Sequence, residues 1–449
     1  MAQVSRICNG VQNPSLISNL SKSSQRKSPL SVSLKTQQHP RAYPISSSWG
    51  LKKSGMTLIG SELRPLKVMS SVSTAEKMNF GYLIFLITSA ATYGIFALGL
   101  NLQWGFAGLI NFGHVAFMTL GAYATTLLSL RGLPIPLAVL VGMGLAMALG
   151  LLIGTSTLRL REDYLAIVTI GVSELIRLIA NNEEWLTQGT FGVQSFPWPM
   201  DFNPTLLSRI VFVIWLTVLT IYAESILIKS LLKQWKEGKK IQGKSYQPRK
   251  PLALLIWGII TTALILTAYV PGVVSLYNYS GKAGLMLLAL TLLALTYAGL
   301  EFWVHSPWGR ILKAIREDEE IPRALGKNVF WYKLQAFMGG GAIAGLAGAL
   351  FAWQLTSIYP SNFDTLLTFN AWIIVVLGGA GSNAGTVLGT IIFWAYDSLT
   401  RFLLPQIAFL DQSQAGALRV MVIGLILMVL MVWRPQGILG KKEELTLGR

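Results

Sequence analysis

Cysteine, histidine and charged residues are all scarce in this chain of 449 residues. Cys8 is the one cysteine, which excludes an internal disulfide and a zinc site built from several cysteines. The three histidines lie far apart in sequence and show no metal-ligand spacing. Charged residues make up 13% of the chain, against about 25% in an average soluble protein. The composition excludes an ordinary soluble protein, and we expect this chain to bind no cofactor of its own.

Long apolar runs take the place of the missing charge. Hydrophobic residues make up 52% of the chain, and several runs reach the ~20 residues that cross a bilayer as a helix. We predict eleven apolar spans, at 80–103, 106–130, 134–157, 164–182, 206–228, 252–272, 284–305, 333–357, 366–379, 384–404 and 417–433. The sequence therefore predicts an all-α fold, a polytopic transmembrane helical bundle.

Acidic residues are absent from the first 60 positions. Residues 1–79 hold eleven lysines and arginines against two acids, Glu62 and Glu76, and they are rich in serine. A basic, serine-rich and acid-poor N-terminal segment is typical of an organellar transit peptide. A disordered tail, or a start site placed too far upstream, explains the same composition. All three interpretations stay open, and we treat this extension as separate from the membrane domain at 80–440.

The distribution of basic residues predicts the orientation of the bundle, because cytoplasmic loops carry an excess of lysine and arginine. The loop at 229–251 holds eight basic residues and one acid, so we expect it in the cytoplasm. Counting spans from there places the loop at 306–333 and the tail at 441–449 on the same side. The five predicted spans before Lys229, however, would place the basic N-terminus on the side opposite to the cytoplasm, which the same rule disfavours. We therefore expect a break within 94–117 to add a short extra piece, giving about ten crossings, with eight to eleven allowed.

The most densely charged window of the chain, 306–337, lies between two of these spans. It carries eight charged side chains between Ile311 and Lys327. The three carboxylates at 318–320, just ahead of Pro322, favour a helix start, since they complement the N-terminal dipole and proline is tolerated in a first turn. We predict a short helix of roughly two turns outside the bilayer, which serves as a linker or as a docking surface.

A formal phosphate-loop match, GKKIQGKS, lies at 238–245. This motif binds phosphate only where a strand precedes it and a helix opens at its Lys-Ser pair. A charged, helix-like stretch precedes it here, and Pro248 and Pro251 follow it. We attribute the match to chance in a basic loop, and we expect that this chain does not hydrolyse ATP.

Two glycine clusters interrupt the apolar spans, one in each half of the chain. Paired glycine-interrupted helices point to a transporter core built from repeats, whereas close helix packing through small residues is the alternative interpretation. Polar residues at membrane depth are functional candidates by default. We therefore predict a translocation path near the following residues of the two clusters: Asn101, Gln103, Asn111, His114, Gly378, Gly381 and Asn383.

Ionisable residues within the apolar spans are further candidates. Glu174 and Arg177 lie three residues apart on a helix, close enough to pair, and Asp397 and Arg401 are candidates of the same kind. The charged neighbours of Glu174 leave open whether that segment reaches the membrane interface. The spans show no alternating ladder of acids and bases of the kind a proton-driven carrier would need.

Several motifs resemble a known family when they are taken in order. They include LGLNLQWGFAGLINFGHVAFMTLGAY at 98–123, SPWGRILKAIREDEEIPRALGKNVFWYKLQAF at 306–337, VVLGGAGSNAGTVLG at 375–389 and WRPQGILG at 433–440. Together they resemble the LivM-type permease family of ABC importers for branched-chain and other neutral amino acids. The resemblance covers about 80–440, and it implies an ABC importer permease fold with a cytoplasmic coupling helix.

The resemblance also implies partners. These would be a LivH-like second permease subunit, two cytoplasmic ABC ATPase subunits that hold ATP and Mg, and an extracytoplasmic amino-acid-binding protein. Residues 320–326 match the spacing of the importer coupling motif Glu-Ala-Ala-x-x-x-Gly, although Ile321 and Pro322 stand where alanines are usual. The ATPase-coupling residues implied in this way are Glu317, Asp318, Glu320, Arg323, Ala324 and Gly326.

Substrate and location stay open at this point. Permeases for urea and short amides resemble this chain in most of the same motifs. A stand-alone ion-coupled carrier is a further alternative, which uptake without ATP would favour. We expect the chain in the plasma membrane, or in a plastid membrane if 1–79 is a transit peptide.

Overall fold

The computed structural model describes residues 65–159, 162–240, 251–407, 412–433 and 437–439. Most of the predicted N-terminal extension lies outside the described residues. Residues 241–250 of the basic loop, which include 241–245 of the phosphate-loop match, and the tail at 441–449 also lie outside them.

The described residues form fourteen α-helices and one small antiparallel pair of strands, which confirms the all-α prediction. The helices are α1 Pro65–Leu100, α2 Val115–Leu130, α3 Ile135–Thr157, α4 Glu162–Asn182, α5 Glu184–Thr187, α6 Leu206–Lys240, α7 Pro251–Tyr277, α8 Gly281–His305, α9 Pro307–Glu317, α10 Glu320–Ala324, α11 Val329–Leu355, α12 Leu366–Gly378, α13 Asn383–Ile407 and α14 Gln412–Trp433. Strand β1, Val193–Gln194, pairs with β2, Ser357–Ile358, so that Val193 lies opposite Ile358. A π-helical segment, Asn101–Phe106, continues α1 directly.

Membrane-length helices account for most of the bundle. Eight described helices are long and apolar enough to cross a membrane, and two shorter apolar helices, Val115–Leu130 and Gly416–Leu425, join them. Most of the predicted spans agree with these helices to within a few residues. The clearest exception is the predicted span at 106–130, where the α-helix begins only at Val115.

The helix α11 lies at the centre of the bundle, and α1, α2 and α3 pack around it. Small residues let these helices approach closely. A Cβ atom added to Gly345 would lie 2.9 Å from the Cβ of Ala146 on α3, and one added to Gly348 would lie 2.9 Å from the backbone nitrogen of Ala122 on α2. The glycines of α11 are therefore packing surfaces for its neighbours.

The two ends of the bundle can be told apart by their contacts. The loop that holds α9 and α10 marks one end, called the loop end, and α11 runs from there to the far end. At the far end Gln354 donates a hydrogen bond of 3.3 Å to the carbonyl of Phe85, so α1 begins its pass there. The ring of Tyr123 on α2 lies 5.8 Å from that of Phe363, which follows α11, so α2 leads back to the far end.

The predicted break within 94–117 is confirmed, but it does not form the extra crossing that we expected from it. The chain reaches the loop end at Phe106, turns back through residues 107–114 and reaches the far end along α2. Five passes therefore precede Lys229. This number equals the five spans predicted before Lys229, without the extra piece that we expected from the break.

Replacing Gly348 with alanine should destabilise the bundle. The new Cβ would press on the backbone of α2, and overpacking of this kind costs about 1–3 kcal/mol. Gly144→Ala on α3 is the matched control, because a Cβ there meets no atom within 4 Å. We expect thermal unfolding in detergent to start at lower temperature for Gly348→Ala and not for Gly144→Ala. Equal melting of the two variants would contradict this packing.

Candidate functional site

The continuation of α1 is broken where the chain approaches the loop end. Residues 101–106 are π-helical and residues 107–114 are irregular, and π turns are frequent at functional sites. Irregular backbone at membrane depth needs partners from protein or water. Side chains supply three of them: the Phe112 N–H donates to Thr169 Oγ1 at 3.2 Å, the Gly113 N–H to Asn111 Oδ1 at 2.9 Å, and the Val115 N–H to Thr368 Oγ1 at 3.0 Å.

The two glycine clusters meet in space. The Gly381 N–H donates to Asn101 Oδ1 at 2.9 Å, and Asn101 Nδ2 donates to Asn383 Oδ1 at 3.2 Å. A Cβ atom on Gly105 would lie 2.6 Å from the nitrogen of Gly381, so only glycine fits between the two clusters. The pairing inferred from the sequence therefore corresponds to a direct contact between the two interrupted segments.

The other polar candidates form a second buried set of hydrogen bonds. Gln103 Nε2 donates to the carbonyl of Phe337 at 2.8 Å, and Asn111 Nδ2 donates to Gln103 Oε1 at 2.8 Å. His114 donates from Nε2 to the Phe96 carbonyl at 3.2 Å, which leaves Nδ1 to face Asn111. Each of these polar side chains is buried and hydrogen-bonded. We call the two sets together, Asn101 with Gly381 and Asn383 and Gln103 with Asn111 and His114, the central network.

Gly378 is the one predicted path residue that lies outside these hydrogen bonds. Its carbonyl accepts a hydrogen bond of 2.9 Å from the N–H of Leu439, which ties the described end of the chain to α12. A cavity of about 620 Å³ opens elsewhere, between α1, α6, α7, α8 and α13, and none of the predicted path residues lines it. The hydrogen-bonded path residues therefore lie apart from this cavity.

Two tryptophans cover the broken segment, and sequence reasoning did not identify them. The rings of Trp104 and Trp372 lie 4.3 Å apart, and Phe112 lies 5.0 Å from Trp372. Trp372 Nε1 also donates to the Asn111 carbonyl at 3.0 Å. Tryptophan inside an apolar span was the available signal, since a buried indole N–H needs an acceptor.

The charged loop at the loop end presents a continuous exposed surface. Between Glu320 and Asn328 every residue except Pro322 is exposed, and all six predicted coupling residues are exposed. Two apolar side chains lie in this surface, Ile321 at 59% exposure and Leu325 at 74%. The predicted helix start is confirmed, because α10 begins at Glu320, whose N–H donates to Asp318 Oδ1 at 2.8 Å.

This loop also contains a second helix, α9, which the sequence analysis did not separate from α10. Leu312 and Ile315 of α9 are buried against the bundle. Trp308 Nε1 donates to Gln335 Oε1 on α11 at 2.7 Å. Glu319, between the two helices, pairs with Lys333 of α11. The loop is therefore held to the central helix, while its outer surface stays exposed among the described residues.

The predicted pair of Glu174 and Arg177 forms, Asp397 and Arg401 also pair, and both pairs lie outside the central network. Glu174 and Arg177 make two hydrogen bonds, the longer of 2.9 Å, and both side chains are partly exposed. Asp397 pairs with Arg401 at 2.8 Å and with Arg419 of α14 at 3.3 Å, a partner that the sequence did not indicate. Through this second arginine, the cluster connects α13 to α14.

An all-α membrane bundle with a broken helix and an exposed helical loop at one end has the architecture of a membrane permease. Residues 82–431 match the family described as branched-chain amino acid transport system, permease component. The chain belongs to this family. No solved structure matches it.

Three curated relatives illustrate the similarity. The high-affinity branched-chain amino acid transport permease protein LivM of Escherichia coli is 29% identical over 357 residues, 78% of this chain and 68% of that protein. The permease protein LivH of Salmonella typhimurium is 23% identical over 365 residues, 80% of this chain and 94% of that protein. The third, 3-phosphoshikimate 1-carboxyvinyltransferase, chloroplastic, of Brassica napus, is 70% identical over 78 residues, 17% of this chain and 14% of that enzyme.

Removing the Asn101 side chain should open the contact between the two glycine clusters. In Asn101→Leu the Gly381 N–H and the Asn383 amide lose their partner, which we expect to cost about 2–4 kcal/mol of unfolding free energy. Asn370→Leu on α12 is the control, since no hydrogen bond is recorded for the Asn370 side chain among the described residues. Thermal unfolding in detergent measures both variants. A loss of similar size in each would argue against a special role for Asn101.

Proposed function

We propose that this chain is the membrane-spanning permease subunit of an ATP-driven importer of branched-chain or other neutral amino acids. The observation that carries the proposal is the exposed surface of α10 at the loop end. Exposed apolar residues rimmed by charge, outside the membrane spans, mark protein-docking sites. Ile321 and Leu325 lie there among Glu320, Arg323 and Lys327. Docking of an ATPase at this surface would supply the energy for transport.

The chain itself acts as a transport subunit and not as an enzyme. In this proposal ATP and Mg are bound by two cytoplasmic ABC ATPase subunits. The formal phosphate loop of the sequence takes no part, since proline follows it twice and no strand is predicted before it. Purified alone, the chain should therefore show no ATP hydrolysis above background.

A second permease subunit completes the pathway. The similarity of this chain to both LivM and LivH supports a pair of related permeases. The broken segment supports the same view, because irregular backbone at membrane depth is stable only against protein or water. Gly108, Ile110 and Phe112 are only partly buried within this chain. The partner permease would cover them, and an extracytoplasmic binding protein would deliver the amino acid.

Transport would proceed by alternating access. The closed state would be the one in which the central network is hydrogen-bonded, as in this structure. ATPase closure would move α9 and α10, and the moving loop would separate the two glycine clusters. Uptake of labelled leucine and labelled urea by the complete complex would test the substrate class. Urea uptake with no leucine uptake would replace the amino-acid proposal with the urea and short-amide alternative, and uptake by the chain alone without ATP would favour an ion-coupled carrier.

We further propose that the N-terminal extension directs the chain to plastids. The chain is 70% identical over 78 residues to a chloroplastic enzyme of Brassica napus, and a stretch of this length is available outside the permease region ahead of residue 82; both observations support the proposal. The segment also has the basic, serine-rich, acid-poor composition of a transit peptide. Insertion in a bacterial plasma membrane, with the extension retained, is the competing outcome.

Changes on the exposed surface of α10 should uncouple ATP hydrolysis from uptake. Glu320→Lys reverses a charge, and Gly326→Leu adds bulk where a Cβ meets no atom within 4 Å, at a residue whose φ is +73°. We expect at least a tenfold loss of uptake, roughly the effect of losing one interface hot spot, without loss of the folded subunit. Lys282→Glu, exposed at the far end, is the charge-reversal control. Normal uptake in both loop variants would count heavily against the docking role.

Import into isolated chloroplasts tests the targeting proposal. The radiolabelled full chain should be taken up and shortened by roughly the length of the extension, and N-terminal sequencing should place the cut near residue 79. A variant that begins at residue 80 behind a start methionine is the control, and it should stay outside and remain protease-sensitive. Exclusion of the full chain, or uptake of both proteins, would contradict the proposal.

A further inference from the structure

The helix α9 reaches the broken segment directly. Arg316 Nη1 donates a hydrogen bond of 2.6 Å to the carbonyl of Gly105. Three residues earlier, the Lys313 ammonium lies 5.5 Å from the centre of the Phe106 ring. Gly105 and Phe106 are the last residues of the π-helical segment. Two cations of the exposed loop therefore touch the end of the helix that forms the central network.

The chemistry of this contact suits a fixed attachment point. The last carbonyls of a helix lack partners within the helix and carry partial negative charge. A guanidinium donor makes a charge-assisted hydrogen bond to such a carbonyl, and this kind of bond is stronger and shorter than a neutral one. Arg316 is partly buried, which limits competition from water. Gly105 in turn lies directly against Asn101 and Gly381.

A second contact joins the same region to the other side of the central network. Glu301, near the end of α8, accepts a hydrogen bond of 3.0 Å at Oε2 from Asn383 Nδ2. Asn383 is itself hydrogen-bonded to Asn101. The end of α8 and the following helix α9 thus each contact one of the two glycine clusters, Glu301 at Asn383 and Arg316 at Gly105.

We propose that Arg316 is a positioning residue that transmits movement of the loop to the central network. The inference rests on the proposed function, since it assumes that a partner moves α9. Displacement of α9 by a few ångströms would pull on or break the bond from Arg316 to Gly105, and the shift of Gly105 would release Gly381 from Asn101. Arg316 itself touches neither substrate nor ATP in this scheme.

The test uses the complete complex in proteoliposomes, with Arg316→Gln, Arg316→Lys and the control Arg310→Gln. Arg310 lies on the same helix and is exposed. We expect Arg316→Gln to lower leucine uptake about tenfold, the loss expected for one charge-assisted hydrogen bond, while copurified ATPase and ATP hydrolysis stay within twofold. Arg316→Lys keeps the charge and should recover part of the uptake, and Arg310→Gln should match the native complex.

A second readout separates transmission from simple loss of structure. Cys8→Ser removes the one native cysteine, and Ala380→Cys places a thiol beside Gly381. In the native background we expect maleimide labelling of this thiol to become several-fold faster when ATP and vanadate trap the complex. In Arg316→Gln the rate should stay the same with and without trapping. A nucleotide-dependent rate in Arg316→Gln would overturn the inference, as would native uptake or loss of the bound ATPase.

Failure of this inference and failure of the proposed function give different results. If α10 is not a docking site, Glu320→Lys and Gly326→Leu transport normally and trapping changes no labelling rate in any variant. If α10 docks the ATPase but Arg316 transmits nothing, those two variants lose uptake while Arg316→Gln transports and labels like the native complex.

Discussion

The structure depends on one constraint, which is that every backbone N–H and C=O at membrane depth must find a partner. A regular helix meets this requirement by itself, and an unsatisfied group in hydrocarbon costs several kcal/mol. The backbone leaves the helix at residues 107–114, so several of its groups find partners elsewhere: Thr169 and Asn111 accept from the N–H groups of Phe112 and Gly113, and Trp372 donates to the Asn111 carbonyl. Thr368 accepts in the same way from the N–H of Val115, where α2 begins. Several polar side chains of the apolar spans therefore lie where the backbone is broken, and the glycines of α11 allow these partners to come close.

The same constraint explains why the polar candidates are closed off and do not line open space. Asn101 is hydrogen-bonded to Gly381 and Asn383, and Gln103 is hydrogen-bonded to Phe337 and Asn111, so each of these amide side chains already has hydrogen-bond partners. A network that is fully satisfied is rigid, and it has a low free energy only in one arrangement. The end of α8 and helix α9 are attached to this arrangement through Asn383 and Gly105. Movement of the loop therefore cannot leave the central network unchanged.

The sequence predicted the membrane spans well because their length follows from the thickness of the bilayer, and it predicted the break near Gly105 because glycine and asparagine disfavour helix. It also placed the start of α10, since carboxylates ahead of Pro322 are a local signal. It did not predict that the helix after the break begins only at Val115, nor that α9 is separate and binds Gly105 through Arg316. Those features depend on pairs more than two hundred residues apart, such as Val115 with Thr368 and Arg316 with Gly105. The candidate path residues were chosen because they are polar residues or glycines within apolar spans, and nothing in the neighbouring sequence indicated their hydrogen-bond partners.

Opening the bundle would break hydrogen bonds of buried polar groups, and the open state has to supply new partners for these groups. If Gly381 moves away from Asn101, an N–H and two amide side chains lose their partners at membrane depth, and a dry apolar gap could not replace them. Water or the polar groups of an amino acid can replace them. Under the proposed function, then, movement of the loop and arrival of a polar ligand stabilise the same open state, and each makes the other more favourable. An apolar solute would lack this effect, so the central network would select for polarity before any contact with a substrate side chain is made.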